Sequence, residues 1–202
     1  MSRSTVRQTA VVLTILFFAS MQVAVTQSTY AFADLVWGSS SNVVRSTLVS
    51  RGYTFARELD DGALRFDGTI LSRPTWVYAE FTPQNQLVKL SVFLLHDSIS
   101  RTQRFFAAER TMIGLKETIE ARYGPAESNY SYFLSPYYRG DGYETQAVEL
   151  GKASFVSFWP AAADGSHLWI EIDEDVDVAV HYEGPGWSAE LQRRRSRQLG
   201  DF

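Results

Sequence analysis

The chain has 202 residues, with 19 basic and 23 acidic side chains, 28 aromatic residues and no cysteine. The absence of cysteine excludes a disulfide framework, thiolate-ligated metals, thiol nucleophiles and the lipidated cysteine of a conventional bacterial lipoprotein. The acidic balance argues against a general nucleic-acid binder, which carries a basic excess.

Residues 1–33 read as a secretory signal peptide. Arg3 and Arg7 supply a positive start, Ala10 to Ala19 an apolar stretch, and Ala31-Phe32-Ala33 an A-x-A cleavage signal before Asp34. The gap between Ala19 and Ala33 is long, so cleavage nearer Ser28 and an uncleaved anchor are alternatives. The apolar run is short against the roughly 20 residues a membrane span needs. The expectation is an exported protein, secreted or periplasmic, with no stable membrane span after cleavage. About 169 residues then remain, with 17 basic against 23 acidic side chains and a net charge of −6. That length suffices for one good core.

Residues 34–184 read as a single α+β domain. Serines 39–41 are ready N-caps for a short helix over 42–51, with Val44 and Leu48 on one face. Tyr53 to Arg57 alternates as a strand, Asp60-Asp61-Gly62 is a hairpin turn, and Leu64 to Phe66 returns. Asp67-Gly68 is a further candidate turn. Strands follow over 75–81 and 87–95, turned by Pro83-Gln84-Asn85.

The segment Ser100 to Pro125 is the firmest element. Phe105, Ala108, Met112, Leu115, Ile119 and Tyr123 recur at steps of three and four, the period of a helix with one buried stripe. Phe106 and Ile113 widen that stripe. Ser100 and Gln103 have capping-box spacing, while Gly124 and Pro125 stop the helix. Strands follow over 129–134 and 153–159, with a short helix over 144–150 between them. The chain then pairs 167–173 with 176–182. Residues 185–202 form a C-terminal amphipathic segment carrying Arg193, Arg194, Arg195 and Arg197, expected to be mostly solvated and to fold back toward the acids of 171–177. The fold expected is antiparallel sheet with a long central helix packed on one face. The order helix, glycine, strands recurs weakly over 37–96 and 99–184, which suits one continuous sheet or two tandem units.

Trp37-Gly38-Ser39-Ser40, Tyr123-Gly124-Pro125, Phe158-Trp159 and Trp169-Ile170-Glu171-Ile172 resemble a class of uncharacterised secreted bacterial helix-plus-sheet proteins. More distantly, the helix-plus-sheet repeat resembles β-lactamase-inhibitor-like domains and the small lipoproteins of outer-membrane assembly. That resemblance implies protein binding rather than catalysis.

The chemistry that can be sought by motif is sparse. There is no G-x-S-x-G nucleophile elbow, and Gly151-Lys152 lacks the glycine spacing of a phosphate loop. His167 and His181 fall on strands expected to pair, which suits structural histidines better than a metal or catalytic pair. Asp173, Asp175 and Asp177 open like a calcium loop, but Val178 and Gly184 stand where Gly and Glu are needed, so a solvated turn is the better account. No catalytic residue, metal or cofactor is assigned.

The informative anomaly is a run of aromatic residues near a loop: Tyr130, Tyr132, Phe133, Tyr137, Tyr138 and Tyr143. Tyrosines in loops give amphipathic contact area at low entropy cost. Tyr137, Tyr138, Tyr143 and Arg139 are therefore the candidate binding residues, against the plainer reading of a flap packed on the sheet. The function expected is a non-enzymatic binding protein that engages another envelope or extracellular protein through the sheet or the tyrosine loop. The alternatives are a carbohydrate- or small-ligand-binding module using the tyrosine loop, or a hydrolase with unidentified acids.

Overall fold

The computed structural model describes residues 29–96 and 98–200, with side chains to 197. Most of the expected signal segment, residues 1–28, lies outside the described residues. Four helices and eight strands follow in the order α1 (Ser41–Ser50), β1 (Thr54–Glu58), β2 (Leu64–Ile70), β3 (Arg73–Phe81), β4 (Leu87–Leu94), α2 (Arg101–Tyr123), β5 (Ser128–Phe133), α3 (Glu144–Glu149), β6 (Ala153–Phe158), β7 (His167–Ile172), β8 (Val178–Glu183) and α4 (Trp187–Gly200).

All eight strands form one antiparallel sheet in the order β1-β2-β3-β4-β8-β7-β6-β5. Each half of the chain opens on a helix and contributes four strands, with α3 inserted between β5 and β6 in the second, and the halves join where β4 pairs with β8. The sheet is therefore continuous rather than split into two units.

Strand alternation sends one side of each strand inward. Phe66, Val77, Leu90, Val92, Val180, Ile170 and Phe155 are buried in one apolar cluster. Phe105, Ala108, Met112, Leu115 and Ile119 of α2 belong to the same cluster. The stripe read from spacing is thus the buried one, although Ile113 is exposed and Phe106 only half-buried. Gly124, at φ 87°, ends α2 in a backbone conformation that suits glycine. Ser40 makes no side-chain cap on α1; instead the Asn85 carboxamide oxygen accepts the Ser41 N–H at 2.9 Å.

The segment before α1 is part of this core. Tyr30 is fully buried, its N–H donates to Ser166 Oγ at 3.0 Å, and the Trp37 indole donates to the Tyr30 carbonyl at 3.0 Å. One expectation fails nearby. Asp67-Gly68 is not a turn but mid-strand, and the β2–β3 turn falls at Leu71-Ser72. The glycine serves close approach: a Cβ there would come within 2.3 Å of the Tyr53 ring.

Candidate functional site

The face opposite the core carries side chains whose types are not those of an ordinary solvated sheet. In register across the sheet stand Tyr78 of β3, Ser91 of β4, His181 of β8, Trp169 of β7 and Phe158 of β6. The next row holds Trp76, Phe93, Ala179, Glu171, Val156 and Tyr130.

The rings of these two rows touch in an unbroken chain. Tyr78 meets Phe93 at 5.6 Å, Phe93 meets His181 at 5.8 Å, and His181 stacks on Trp169 at 4.7 Å. Trp169 meets Phe158 at 6.4 Å, and Phe158 meets Tyr130 at 6.2 Å. Six adjacent strands each contribute one ring. At about 4.8 Å per strand the chain spans roughly 24 Å. Offset and edge-to-face contacts of this kind hold rings in fixed positions.

At its centre lies a polar row. Ser91 Oγ is 2.9 Å from His181 Nδ1, and His181 Nε2 is 3.1 Å from Glu171 Oε1. The second approach is off the line a hydrogen bond needs, leaving Nε2 without a hydrogen-bond partner. The Glu171 carboxyl is held below its ordinary range chiefly by His181, against the opposing effect of burial, with Lys89 assisting. Ser91 and His181 are both buried among the rings.

A groove of about 350 Å³ runs along β3 and β4 on this face, from the β1–β2 turn to the β7–β8 turn. Trp76, Tyr78, Phe93 and Leu95 line it, with Asp61 and Glu80 toward one end and Asp173, Asp175 and Asp177 toward the other. The β7–β8 turn is less solvated than its acids suggest. Asp177 is buried, accepting the His96 N–H at 2.6 Å and an Arg104 Nη2 hydrogen at 3.2 Å. Asp173 accepts the N–H groups of Asp175 and Asp177, and burial, with Asp177 and Asp175 nearby, pushes its carboxyl up to about 6. Among the described residues no group of three or more His, Asp or Glu side chains could hold a metal ion.

The candidate residues from the tyrosine run divide. Tyr130 and Tyr132 sit on the edge strand β5, while Tyr137, Tyr138, Arg139 and Tyr143 sit in the loop before α3. Tyr138 and Tyr143 are exposed and Tyr137 is half-buried. Asp141 fixes the loop by accepting the N–H groups of Tyr138 and Tyr143. Arg139 is engaged within the chain, paired with Glu109 of α2 and 5.8 Å from the Phe105 ring. His167 and His181 lie on paired strands but are not opposite each other: His167 faces Glu183, and Trp169 faces His181.

The arginine segment does not reach the acids of 171–177. In α4, Arg194 bonds Glu80 at 2.6 Å and Glu190 at 2.8 Å, and Arg193 bonds Glu190. Trp187 and Glu190 are buried, so the start of this helix is docked rather than solvated. Glu190, three and four residues away on the same helix, holds Arg193 and Arg194, and Glu80 of β3 takes a second bond from Arg194.

The sequence points to the sheet as one of two binding surfaces but assigns no residue of this aromatic face. Its signal was the alternation of Trp76, Tyr78 and Glu80, then Lys89, Ser91 and Phe93, then Trp169 and Glu171, opposite strand positions read as core. Among the described residues no helix is long and apolar enough to cross a membrane. No protein-family model matches the chain, and no curated protein or solved structure matches it.

Proposed function

We propose that this chain is a non-enzymatic, exported binding protein, secreted or periplasmic, that docks a partner protein on the aromatic face of its sheet. The observation that carries this is the six-strand chain of ring contacts from Tyr78 to Tyr130. Interfaces are enriched in such aromatic side chains, held in place before binding. In this reading the long helix α2 lies across the opposite face as a rigid backing. The reading accords with the distant resemblance to helix-plus-sheet proteins that bind other proteins.

The test is a photo-crosslinker placed in turn at Phe158, Tyr78 and Ile113, with the protein exposed to envelope extract. One partner should couple from Phe158 and Tyr78 but not from Ile113, and Phe158→Ala with Tyr130→Ala should abolish its capture. Coupling from Ile113 alone would overturn the assignment of the face.

A second reading, hydrolysis, draws on Ser91, His181 and Glu171, which supply a nucleophile, a base and an acid within reach of one another. It fares worse because β4 and β8 are interior strands, whose N–H groups are taken up by the neighbouring strands rather than free to serve as oxyanion donors. Fluorophosphonate labelling that is lost in Ser91→Ala would reverse the order of the two readings.

A further inference from the structure

We propose that the groove along β3 and β4 receives a cationic side chain, arginine or lysine, presented by a basic segment of the partner protein. This rests on the docking reading above and adds the chemistry of the occupant.

The first argument is charge complementarity. Asp61, Glu80, Asp173, Asp175 and Asp177 line the groove, and among the described residues no basic one does. Two of these acids are already matched, Glu80 by Arg194 and Asp177 by Arg104. Asp61 and Asp173 accept only backbone N–H groups, from Ala63 and from Asp175 and Asp177. Their charge awaits a partner.

The second argument is the floor. Trp76, Tyr78 and Phe93 line the groove, and aromatic ring faces attract cations, more strongly where water is excluded. The chain uses this contact itself on the same face. The Arg65 guanidinium lies 4.0 Å over the Trp76 ring and already covers one of its faces, which leaves Tyr78 and Phe93 as the open part of the floor, and Lys89 Nζ lies 5.4 Å from the Trp169 ring and 4.6 Å from that of Trp187.

The third argument is size. A volume of about 350 Å³ is at the low end of the range of about 300–1,000 Å³ for ligand pockets, and suits one or two long side chains.

The groups around Asp173 add a consequence. Asp175 and Asp177 share its turn, Arg104 of α2 reaches Asp177, and His96 lies 3.6 Å from the same carboxylate. With Asp173 raised to about 6, an incoming cation favours its ionised form, so binding at pH 5 releases a proton. Affinity should therefore fall as the pH drops from 7.5 to 5.

The probe is a tetra-arginine peptide with blocked ends, titrated calorimetrically into the full chain beside its tetra-citrulline counterpart, which has the same shape without charge. The arginine peptide should bind at least tenfold more tightly, and Asp61→Asn with Asp173→Asn should lose at least fivefold while leaving the thermal midpoint no lower. Equal binding of both peptides, or no effect of the double substitution, would overturn the proposal. So would spermine binding as tightly as the peptide, since that would make the occupant a small polyamine. If neither peptide binds but the envelope partner still couples at Phe158, the docking reading stands and the cationic occupant fails. If that coupling is also absent, the docking reading falls with it.

Discussion

Tyr30 donates its hydroxyl hydrogen to the Pro160 carbonyl at 2.7 Å, joining positions 130 residues apart. The ring also meets Tyr123 edge-on at 5.1 Å. Removing the hydroxyl by Tyr30→Phe deprives the Pro160 carbonyl of this donor and should cost about 1–3 kcal/mol. Tyr30→Ala should cost about 3–5 kcal/mol, as for other large aromatic truncations. A chain beginning at Asp34 lacks this tyrosine altogether. It should unfold at lower urea than one beginning at Thr29, and equal midpoints would show that the contact is dispensable.

Leu115 and Ile113 lie on the same helix and separate burial from hydrophobicity. Leu115 is 9% exposed and Ile113 52% exposed. Leu115→Ala should cost about 2–5 kcal/mol and Ile113→Ala within about 0.5 kcal/mol. Urea unfolding of the two variants checks this, and similar losses would mean that the helix is turned differently.

Two carboxyls should make opposite contributions to stability as pH changes. Asp173 is raised from 3.8 to about 6 by burial. Its contribution is fully present below about 3.8 and is lost as the pH rises through about 6, by well under about 3 kcal/mol because solvent screens this partly exposed carboxyl. Asp173→Asn should therefore stabilise the protein at pH 7.5, with the gain vanishing below pH 4. Glu190 is lowered to about 2, first by its bond to Arg193 and then by Arg194, against burial. Its contribution is present above about 4.5 and is lost as the pH falls through about 2. Glu190→Gln should destabilise at pH 7.5 and converge on the parent near pH 2. Denaturation midpoints across pH 2–8 measure both.

The tyrosine loop and the sheet face can be told apart by one pair of substitutions. Tyr138 is 64% exposed, so Tyr138→Ala should leave the thermal midpoint nearly unchanged, whereas Phe158, 38% exposed and in contact with Trp169 and Tyr130, should cost about 1 kcal/mol on truncation. Phe158→Ala should weaken partner capture, and Tyr138→Ala should not. The reverse result would return the binding surface to Tyr137, Tyr138 and Tyr143.

What was legible in the sequence was local. The stripe from Phe105 to Ile119, the stop at Gly124 and the turn at Asp60-Asp61-Gly62 depend on near neighbours, and each element formed where its spacing placed it. Partners across the sheet were not legible. Nothing near Ser91 announces His181, because register between β4 and β8 is set by the burial of Val92 against Val180 rather than by any local signal. The same limit explains the arginine segment. Its charge was visible, but the docking of Trp187, which directs Arg194 to Glu80, was not.

The junction of β4 with β8 also governs how the chain must fold. β1 to β4 pair in succession, and so do β5 to β8, so within each half the paired strands are near in sequence, the longest connection being the one from β5 to β6 through α3. Only the β4–β8 ladder brings together segments about 90 residues apart, as Ser91 and His181 are. Pairing of distant strands must overcome loop-closure entropy before contacts repay it, and such pairing slows folding. Two half-sheets that collapse early and a slow zipping between them are the expected sequence of events. Until that zipping is done, β4 and β8 are open edges, each able to recruit the matching strand of a second copy.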